Sequence, residues 1–363
     1  MKARKIKNHE DILKEVRKEI PTEKLEKIEK FLSLVQTFNK VDKLYKTYVV
    51  GVGKAIKYNE ENKCYFEFKL DSTITGRLSC SQYSAGKGKS KGVSFHTLPR
   101  ENKHADIRNL FIAPPGWNFI CADYKTMELR ILAHVADEPG LKEAFRNGQD
   151  IHTLSAQSAF NKEVVTKEER QQGKTISFTV AYVGGEFNIA ETNNIPIERA
   201  AQLLANYKKR FPKIFEYHDK CRKIIVETKE IPNIFGRTRH LLNISSPIPN
   251  IREKAVRQGI NSTIQGPASD VMLCAAIGIV NEIKERGLEA RLVATVHDSI
   301  EVIASANATK EVCELVRRHM TTYPYLREKL GIEFSVPLEI DMEVGTSFGN
   351  GKEVHFDENG KVK

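Results

Sequence analysis

Several things are missing from this 363-residue sequence, and each absence closes off a class of protein. Its six cysteines, at 64, 80, 121, 221, 274 and 313, are scattered and form no CxxC pair. That argues against disulfides and against structural zinc. No run of 18 apolar residues is present, so no membrane-spanning helix and no membrane partner are expected. The start of the chain, Met1-Lys2-Ala3-Arg4-Lys5-Ile6-Lys7, lacks the apolar stretch of a secretory signal. No internal repeat is visible. The expectation is a reduced, cytoplasmic protein.

What the sequence does contain is an excess of positive charge. Lys and Arg number 57 against 47 Asp and Glu, a net charge of +10, with 40% hydrophobic and 29% charged residues. This composition supports a folded core of two or three subdomains, and the basic balance favours a polyanion such as nucleic acid. Residues 1–50 carry 13 Lys/Arg against 8 Asp/Glu, about half of the excess. A second basic spot, Gly86-Lys87-Gly88-Lys89-Ser90-Lys91-Gly92, is a loop by its glycines. Both are either solvated surface or contacts to a phosphate backbone.

Periodicity organises the chain. Within residues 11–49, apolar positions from Leu25 through Ile28, Phe31, Leu32, Val35, Phe38 and Val41 to Tyr45 predict a helix with a packing face, capped at Thr22. Phe66, Phe68 and Leu70 alternate as in a half-buried strand. Trp117–Asp123 reads as a second strand running into a helix through Met127, Leu129, Ile131, Leu132 and Val135 that ends at Pro139-Gly140. Residues 141–230 are mostly helical, and the clearest helix opens on the capping box Thr166-Lys167-Glu168-Glu169 and runs to Tyr182. A helix over about 251–286, a hairpin over 292–303, a helix over about 308–331 and a strand near 337–344 follow. The polar tail from Gly349 reads as mobile. Strand material at both ends with a helical block between predicts an α+β architecture.

Two carboxylates stand out by position. Asp123 ends an apolar strand and Asp298 sits at the tip of an apolar hairpin. Such a pair can share two divalent ions for an in-line phosphoryl displacement, and Mg²⁺ prefers one or two carboxylates plus substrate phosphates. They can equally be turn-forming aspartates. After Thr166, Arg170, Lys174, Phe178 and Tyr182 recur every four residues and form one slowly winding stripe. Cations for a triphosphate followed by rings for sugar and base make a nucleotide platform. An amphipathic helix with a basic start would show the same pattern.

Taken together, these segments carry a resemblance. Asp123-Tyr124-Lys125-Thr126-Met127-Glu128-Leu129-Arg130 resembles motif A of family-A DNA polymerases, the group typified by bacterial DNA polymerase I. Arg170, Lys174, Phe178 and Tyr182 are similar to their motif B, and Val296-His297-Asp298 to their motif C. Further likenesses are Thr75–Ser79, Ile107–Pro114, Asp150–Thr153, Phe235–Arg239 and Arg257, Asn261, Gln265-Gly266, spanning about residues 44–346 in the family's order.

The resemblance implies a template-directed DNA polymerase of right-hand fold. It has an antiparallel palm sheet, a large helical fingers insertion and a truncated thumb. Residues 1–45 would be a thumb remnant, 46–137 and 251–363 the palm, and 138–250 the fingers. Asp123 and Asp298, with the carbonyl of Tyr124, would bind two Mg²⁺ ions, Mn²⁺ being a substitute. His152, Arg170 and Lys174 would contact the incoming dNTP, Lys174 also serving as general acid toward pyrophosphate. Glu128, beside Tyr182, would exclude the ribose 2′-oxygen. Phe178 would pack on the sugar and Tyr182 would guard the templating position. Arg77, Arg237, Arg257, Asn261, Gln265 and His297 would touch the primer–template.

Several positions depart from the family pattern. Lys125-Thr126 stands for Ser-Gln, Val183 for the Gly after the motif B Tyr, and Ser299 for the Glu after the motif C Asp, with Glu301 two residues on. Gly173 sits mid-helix, where it costs about 1 kcal/mol relative to Ala. The segment 80–95 is longer than the usual link, and its Gly/Lys loop is expected to touch the duplex. Only about 43 residues precede the palm. The expectation is therefore a chain without its own 3′–5′ exonuclease, as in a split polymerase of phage type, working in a bacterial or phage-infected cytosol. Either the sequence is a fragment, or a separate chain supplies exonuclease, thumb or a processivity factor. The competing readings are a single-subunit RNA polymerase relative and a non-catalytic DNA-binding replication accessory.

Overall fold

The computed structural model describes residues 22–57, 63–70, 72–82, 94–99 and 106–363. The Gly/Lys loop at 86–92 and the basic start of the chain lie outside the described residues. The chain divides into two compact units, Met1–Phe68 with Cys80–Leu110, and Lys69–Ser79 with Phe111–Lys363.

In the first unit, α1 (Thr22–Leu44) passes through a π-helical turn, Tyr45–Val49, into α2 (Val50–Lys57). Leu44, Tyr48 and Val52 are buried, and the Tyr48 hydroxyl donates to the carbonyl of Thr97. The apolar stripe that runs along α1 to Tyr45 is not the packing face that its period predicts, because Phe31, Phe38 and Tyr45 are each more than half exposed. Period reports which residues share a face; it does not report what covers that face. A short antiparallel pair, β1 (Phe66–Lys69) and β2 (Ser79–Gln82), accompanies these helices.

The second unit is built on one five-stranded antiparallel sheet. Its strands are β3 (Trp117–Tyr124), β6 (Ala290–Val296), β7 (Ser299–Ser305), β8 (Ile340–Gly345) and β9 (Lys352–Glu353), in the order β6-β7-β3-β8-β9. A strand from before the helical block thus pairs with strands from after it. Alternation gives β3 two different faces. Ile120 and Ala122 point, with Ile300, Val302 and Met342 of the neighbouring strands, into the main core. Cys121 and Asp123 point the other way, level with Glu301, Ser299, Glu343 and Asp341.

The helical block holds α3 (Met127–Val135), α4 (Pro139–Arg146), α5 (Ile151–Phe160), α6 (Lys167–Ala181), α7 (Glu186–Asn193), α8 (Ile197–Arg210) and α9 (Pro212–Thr228). Pro139 opens α4 at its first turn rather than ending the helix before it, since a first-turn proline gives up no intrahelical bond. A small hairpin of β4 (Glu230–Pro232) and β5 (Thr238–His240) leads to the long helix α10 (Pro249–Glu285), which continues through Pro267. Part of α10 is as hydrophobic as a membrane span, but most of that stretch is buried inside the protein.

The helix expected over 308–331 is two helices, α11 (Thr309–Thr321) and α12 (Pro324–Leu330). Tyr323 takes φ 40° and Pro324 restarts the helix. Nor is the tail loose. Val354, Phe356 and Val362 pack on the core, Lys361 pairs with Glu314 at 2.7 Å, and Arg317 covers the Phe356 ring. All six cysteines are free thiols.

Candidate active site

One end of the sheet gathers the two carboxylates. Asp123 is the penultimate residue of β3 and lies opposite Ser299 on one side and Asp341 on the other. Asp298 is the second residue of the two-residue turn between β6 and β7. The Tyr124 amide donates to the Asp298 carbonyl at 3.2 Å, so the turn is tied to the end of β3. His297, first in that turn, takes φ 58°, and Thr126, just after β3, takes φ 47°. Neither is glycine, and such conformations persist where surrounding structure over-determines them.

Thr126 sets α3 on its course and brings Glu128 into the first turn, where it is buried. Its two carboxylate oxygens have different partners. Oε1 accepts from Arg77 Nη2 at 2.7 Å, and Oε2 accepts from the Tyr182 hydroxyl. Burial pushes the Glu128 carboxyl above its ordinary range, against the hydrogen bond from Tyr182 and the charge of Arg77. Burial and Glu128 together push the Tyr182 phenol up, while Gln265 also bonds to Tyr182. The same Arg77 Nη2 lies 3.2 Å from Asp298 Oδ1. One guanidinium thus joins the buried Glu128 carboxylate to the turn carboxylate of Asp298.

The loop carrying Arg77 is fixed from α10 and the β4–β5 turn. Gly76 takes φ 78°, and its carbonyl accepts from Ser269 Oγ at 3.0 Å. A Cβ on Gly76 would strike the Arg237 guanidinium, which is itself held by Asp270. Arg237 is therefore engaged within the protein, at the base of the Arg77 loop. Arg257, Asn261 and Gln265 follow at four-residue steps along α10, Arg257 being exposed and His297 exposed at the turn.

The capping box of α6 forms as expected, with Thr166 Oγ1 and the Glu169 carboxylate bonding each other's backbone amides. Arg170 makes a two-pronged pair with Asp150, at 2.6 and 3.1 Å. Burial resists ionisation of Asp150, but bonds from Arg170, Thr153 and the His152 amide outweigh it and hold its pKa at about 2. His152 is buried and its pKa is lowered by burial and by Lys174 and Arg170. Its ring lies 5.8 Å from Phe178, and Phe178 stacks on Tyr182 at 6.4 Å. Lys174 is exposed on the same helix. Gly173 has a clear use, since a Cβ there would come within 2.5 Å of the Ala156 backbone, so it lets α5 and α6 touch.

Contacts thus link Arg77, Glu128, Tyr182, Gln265 and Asp298, and a second chain of contacts runs from Arg170 through Asp150 and His152 to Phe178. Sequence reading assigned no role to Asp150, Asp270 or Asp341. Asp341 had a local signal, the alternation Ile340-Asp341-Met342-Glu343 that places it on the polar face of a strand, and Asp150 had one as the first residue of the Asp150–Thr153 likeness and the cap of α5. Ser299 Oγ lies 2.5 Å from Glu301 Oε1, so the residue in place of the motif C Glu bonds to a fully buried Glu two positions on.

Known proteins resemble this chain in sequence and in fold. The DNA polymerase I of Geobacillus stearothermophilus is 32% identical over 337 residues, covering 91% of this chain and 36% of its own. That of Thermus aquaticus is 29% identical, covering 87% of this chain and 36% of its own. The solved POL domain of Pol1 from M. smegmatis, in complex with DNA primer-template and dNTP, superposes with a TM-score of 0.78 at 28% identity, covering 88% of this chain and 53% of that one. The chain spans about a third of the length of the curated relatives it matches. The model of DNA polymerase family A matches residues 2–350, and to that family this chain belongs.

Proposed function

We propose that this chain is a DNA-directed DNA polymerase that extends a primer 3′ end with dNTPs. The observation that carries the reading is the convergence of Asp123 and Asp298 at one end of the sheet, with Arg77 joining Asp298 to the buried Glu128–Tyr182 pair. The donors suit a hard divalent cation. Two carboxylates and the Tyr124 carbonyl offer oxygen only, and Asp298 already carries a positive group, the Arg77 guanidinium. No set of three or more His, Cys, Asp or Glu forms a closed cage among the described residues. That leaves room for the substrate's own oxygens. Asp123, Asp298 and Tyr124 would hold two Mg²⁺, or Mn²⁺ in their place. When bound, such ions lower the pKa of an attacking hydroxyl and offset charge on the transferred phosphoryl group.

The remaining roles follow from position. Arg170, Lys174 and His152 bind the triphosphate, and Lys174 delivers a proton to the leaving pyrophosphate. Phe178 takes the sugar. Glu128, fixed from both sides by Arg77 and Tyr182, excludes a 2′-hydroxyl, and Tyr182 borders the templating base. Arg77, Arg257, Asn261, Gln265 and His297 face the primer–template, and Arg237, held by Asp270, supports the Arg77 loop rather than facing DNA itself; the palm is 46–137 and 251–363 and the fingers are 138–250. The place of work is the cytosol of a bacterial or phage-infected cell.

Primer extension with dNTPs and Mg²⁺, beside Asp298→Ala, tests the reading. Extension by the parent and none by the variant is expected, with NTPs used far more poorly than dNTPs. Equal use of NTPs would move the assignment to an RNA polymerase relative. DNA binding without any extension would leave a non-catalytic accessory.

A further inference from the structure

Arg77 is the group in the site whose bonds pull in two directions. Its Nη2 lies 2.7 Å from Glu128 Oε1 and 3.2 Å from Asp298 Oδ1. Its side chain is three-quarters buried, and its loop is pinned by Ser269 and by the Arg237–Asp270 pair. A guanidinium held this way cannot drift far. A divalent cation arriving at Asp298 would meet a fixed unit charge at close range, in a site where solvent screens poorly.

Resting on the polymerase reading above, we propose that Arg77 is a latch that competes with the divalent cation for Asp298, so that cation loading waits for the primer. Without DNA, Arg77 neutralises Asp298 and keeps the turn closed against Glu128. A primer terminus offers Arg77 other acceptors. Once it turns to them, Asp298 is free to hold a cation, while Tyr182 continues to hold Glu128. Linkage is reciprocal, so whatever draws Arg77 from Asp298 tightens cation binding, and cation binding releases Arg77. Arg77 is a positioning residue in this scheme, and its effect is set by charge rather than by packing.

The test counts Mn²⁺ bound to the full chain, with no DNA or nucleotide, from the paramagnetic resonance signal of the free ion. Arg77→Met is expected to bind Mn²⁺ about tenfold more tightly than the parent, whereas Arg77→Lys, which keeps the charge, should bind nearly as the parent does. Equal or weaker binding by a folded Arg77→Met overturns the latch. Should that variant not fold, the parent itself decides. Its Arg77 Nε–H resonance, assigned by its absence from Arg77→Lys, is expected to shift as Mg²⁺ saturates the site, and a resonance that stays still at saturation overturns the proposal. Primer extension run in parallel separates the two readings. Tighter Mn²⁺ binding by Arg77→Met in a chain that extends no primer keeps the latch and removes the polymerase. Normal extension by the parent with unchanged Mn²⁺ affinity in Arg77→Met does the reverse.

Discussion

The site has two walls, and they are built differently. On the sheet wall, Asp123 comes from a strand paired in register on both sides, and Asp298 from a tight turn tied to that strand by the Tyr124 amide, over core residues Ile120, Ala122, Ile300 and Val302 that have no exposure at all. On the helix wall, α6 offers Arg170, Lys174, Phe178 and Tyr182 from a single helix, anchored by its capping box, by the close contact at Gly173 and by the buried Ile176 and Val180. The sheet wall is therefore set before any ligand arrives, as groups that must hold charge at fixed spacing need to be. The helix wall presents its polar groups Arg170 and Lys174 to solvent. Changes on the first wall should act on the chemical step, and changes on the second, the general acid Lys174 apart, on substrate affinity.

The largest effect breaks or upholds that contrast directly. Asp123→Asn should lower kcat at least about 10³-fold, the scale of several kcal/mol of charge stabilisation, with little change in the KM for dNTP. Arg170→Ala should instead raise that KM about 10- to 100-fold, the worth of a hydrogen bond to a charged group. Steady-state kinetics of both variants checks this. If Asp123→Asn acted mainly on KM, the sheet wall would not be preset.

The next effect concerns pH. His218 on α9 is buried beside the cavity behind the C-terminal end of α6, lined also by Val183, Gly184, Lys208, Asp219 and Arg222. Burial lowers the His218 pKa to about 4, against an upward pull from Asp219 that a smaller push from Arg222 partly offsets. The unfolded ring titrates near 6.5, so the folded state keeps its full advantage above that pH. As pH falls from 6.5 toward 4 the unfolded chain takes the proton first, and roughly 3 kcal/mol is lost. Urea unfolding between pH 7 and 4 should show the loss, and His218→Gln should flatten it. Hydrogen exchange should find the α6–α9 region opening before the sheet.

The same contrast explains what could be read from sequence. The sheet wall was legible because a strand ending in Asp and a hairpin with Asp at its tip are local patterns, and the structure forms both, in the predicted order. The helix itself was legible too, since Thr166 and Glu169 encode its start. What holds the groups in place was not. Arg77 finds Glu128 and Asp298 across 51 and 221 residues of sequence, and Arg170 finds Asp150 across 20, and no periodicity reports such pairs. Gly173 looked like a local cost, and only packing shows Ala156 filling the space where its Cβ would be. The split at Tyr323-Pro324, the exposed stripe of α1 and the packed tail are similar cases, in which tertiary contact decided against local expectation.

The smallest predicted effect concerns the one place where the helix wall does carry strain of its own. Val183, directly after Tyr182, takes φ 59°, a conformation that a β-branched residue rarely adopts. Its amide donates to the Val180 carbonyl at 2.8 Å, and its side chain packs against the cluster of Cys221, Ile225 and Ile260. Left-handed backbone costs a residue with a Cβ about 1–2 kcal/mol, and the packing offsets part of that. Val183→Gly removes the strain but also the packing, and it loosens the unfolded chain by about 0.4–1 kcal/mol, so its stability should stay near the parent's. Val183→Ala keeps most of the strain and loses the packing, so it should fall about 1 kcal/mol below Val183→Gly. Alanine is elsewhere the better helix residue, so glycine winning here would be diagnostic. If urea unfolding ranks alanine at or above glycine, the end of α6 relaxes without cost, and all of the site's stored strain belongs to Thr126 and His297 on the sheet wall.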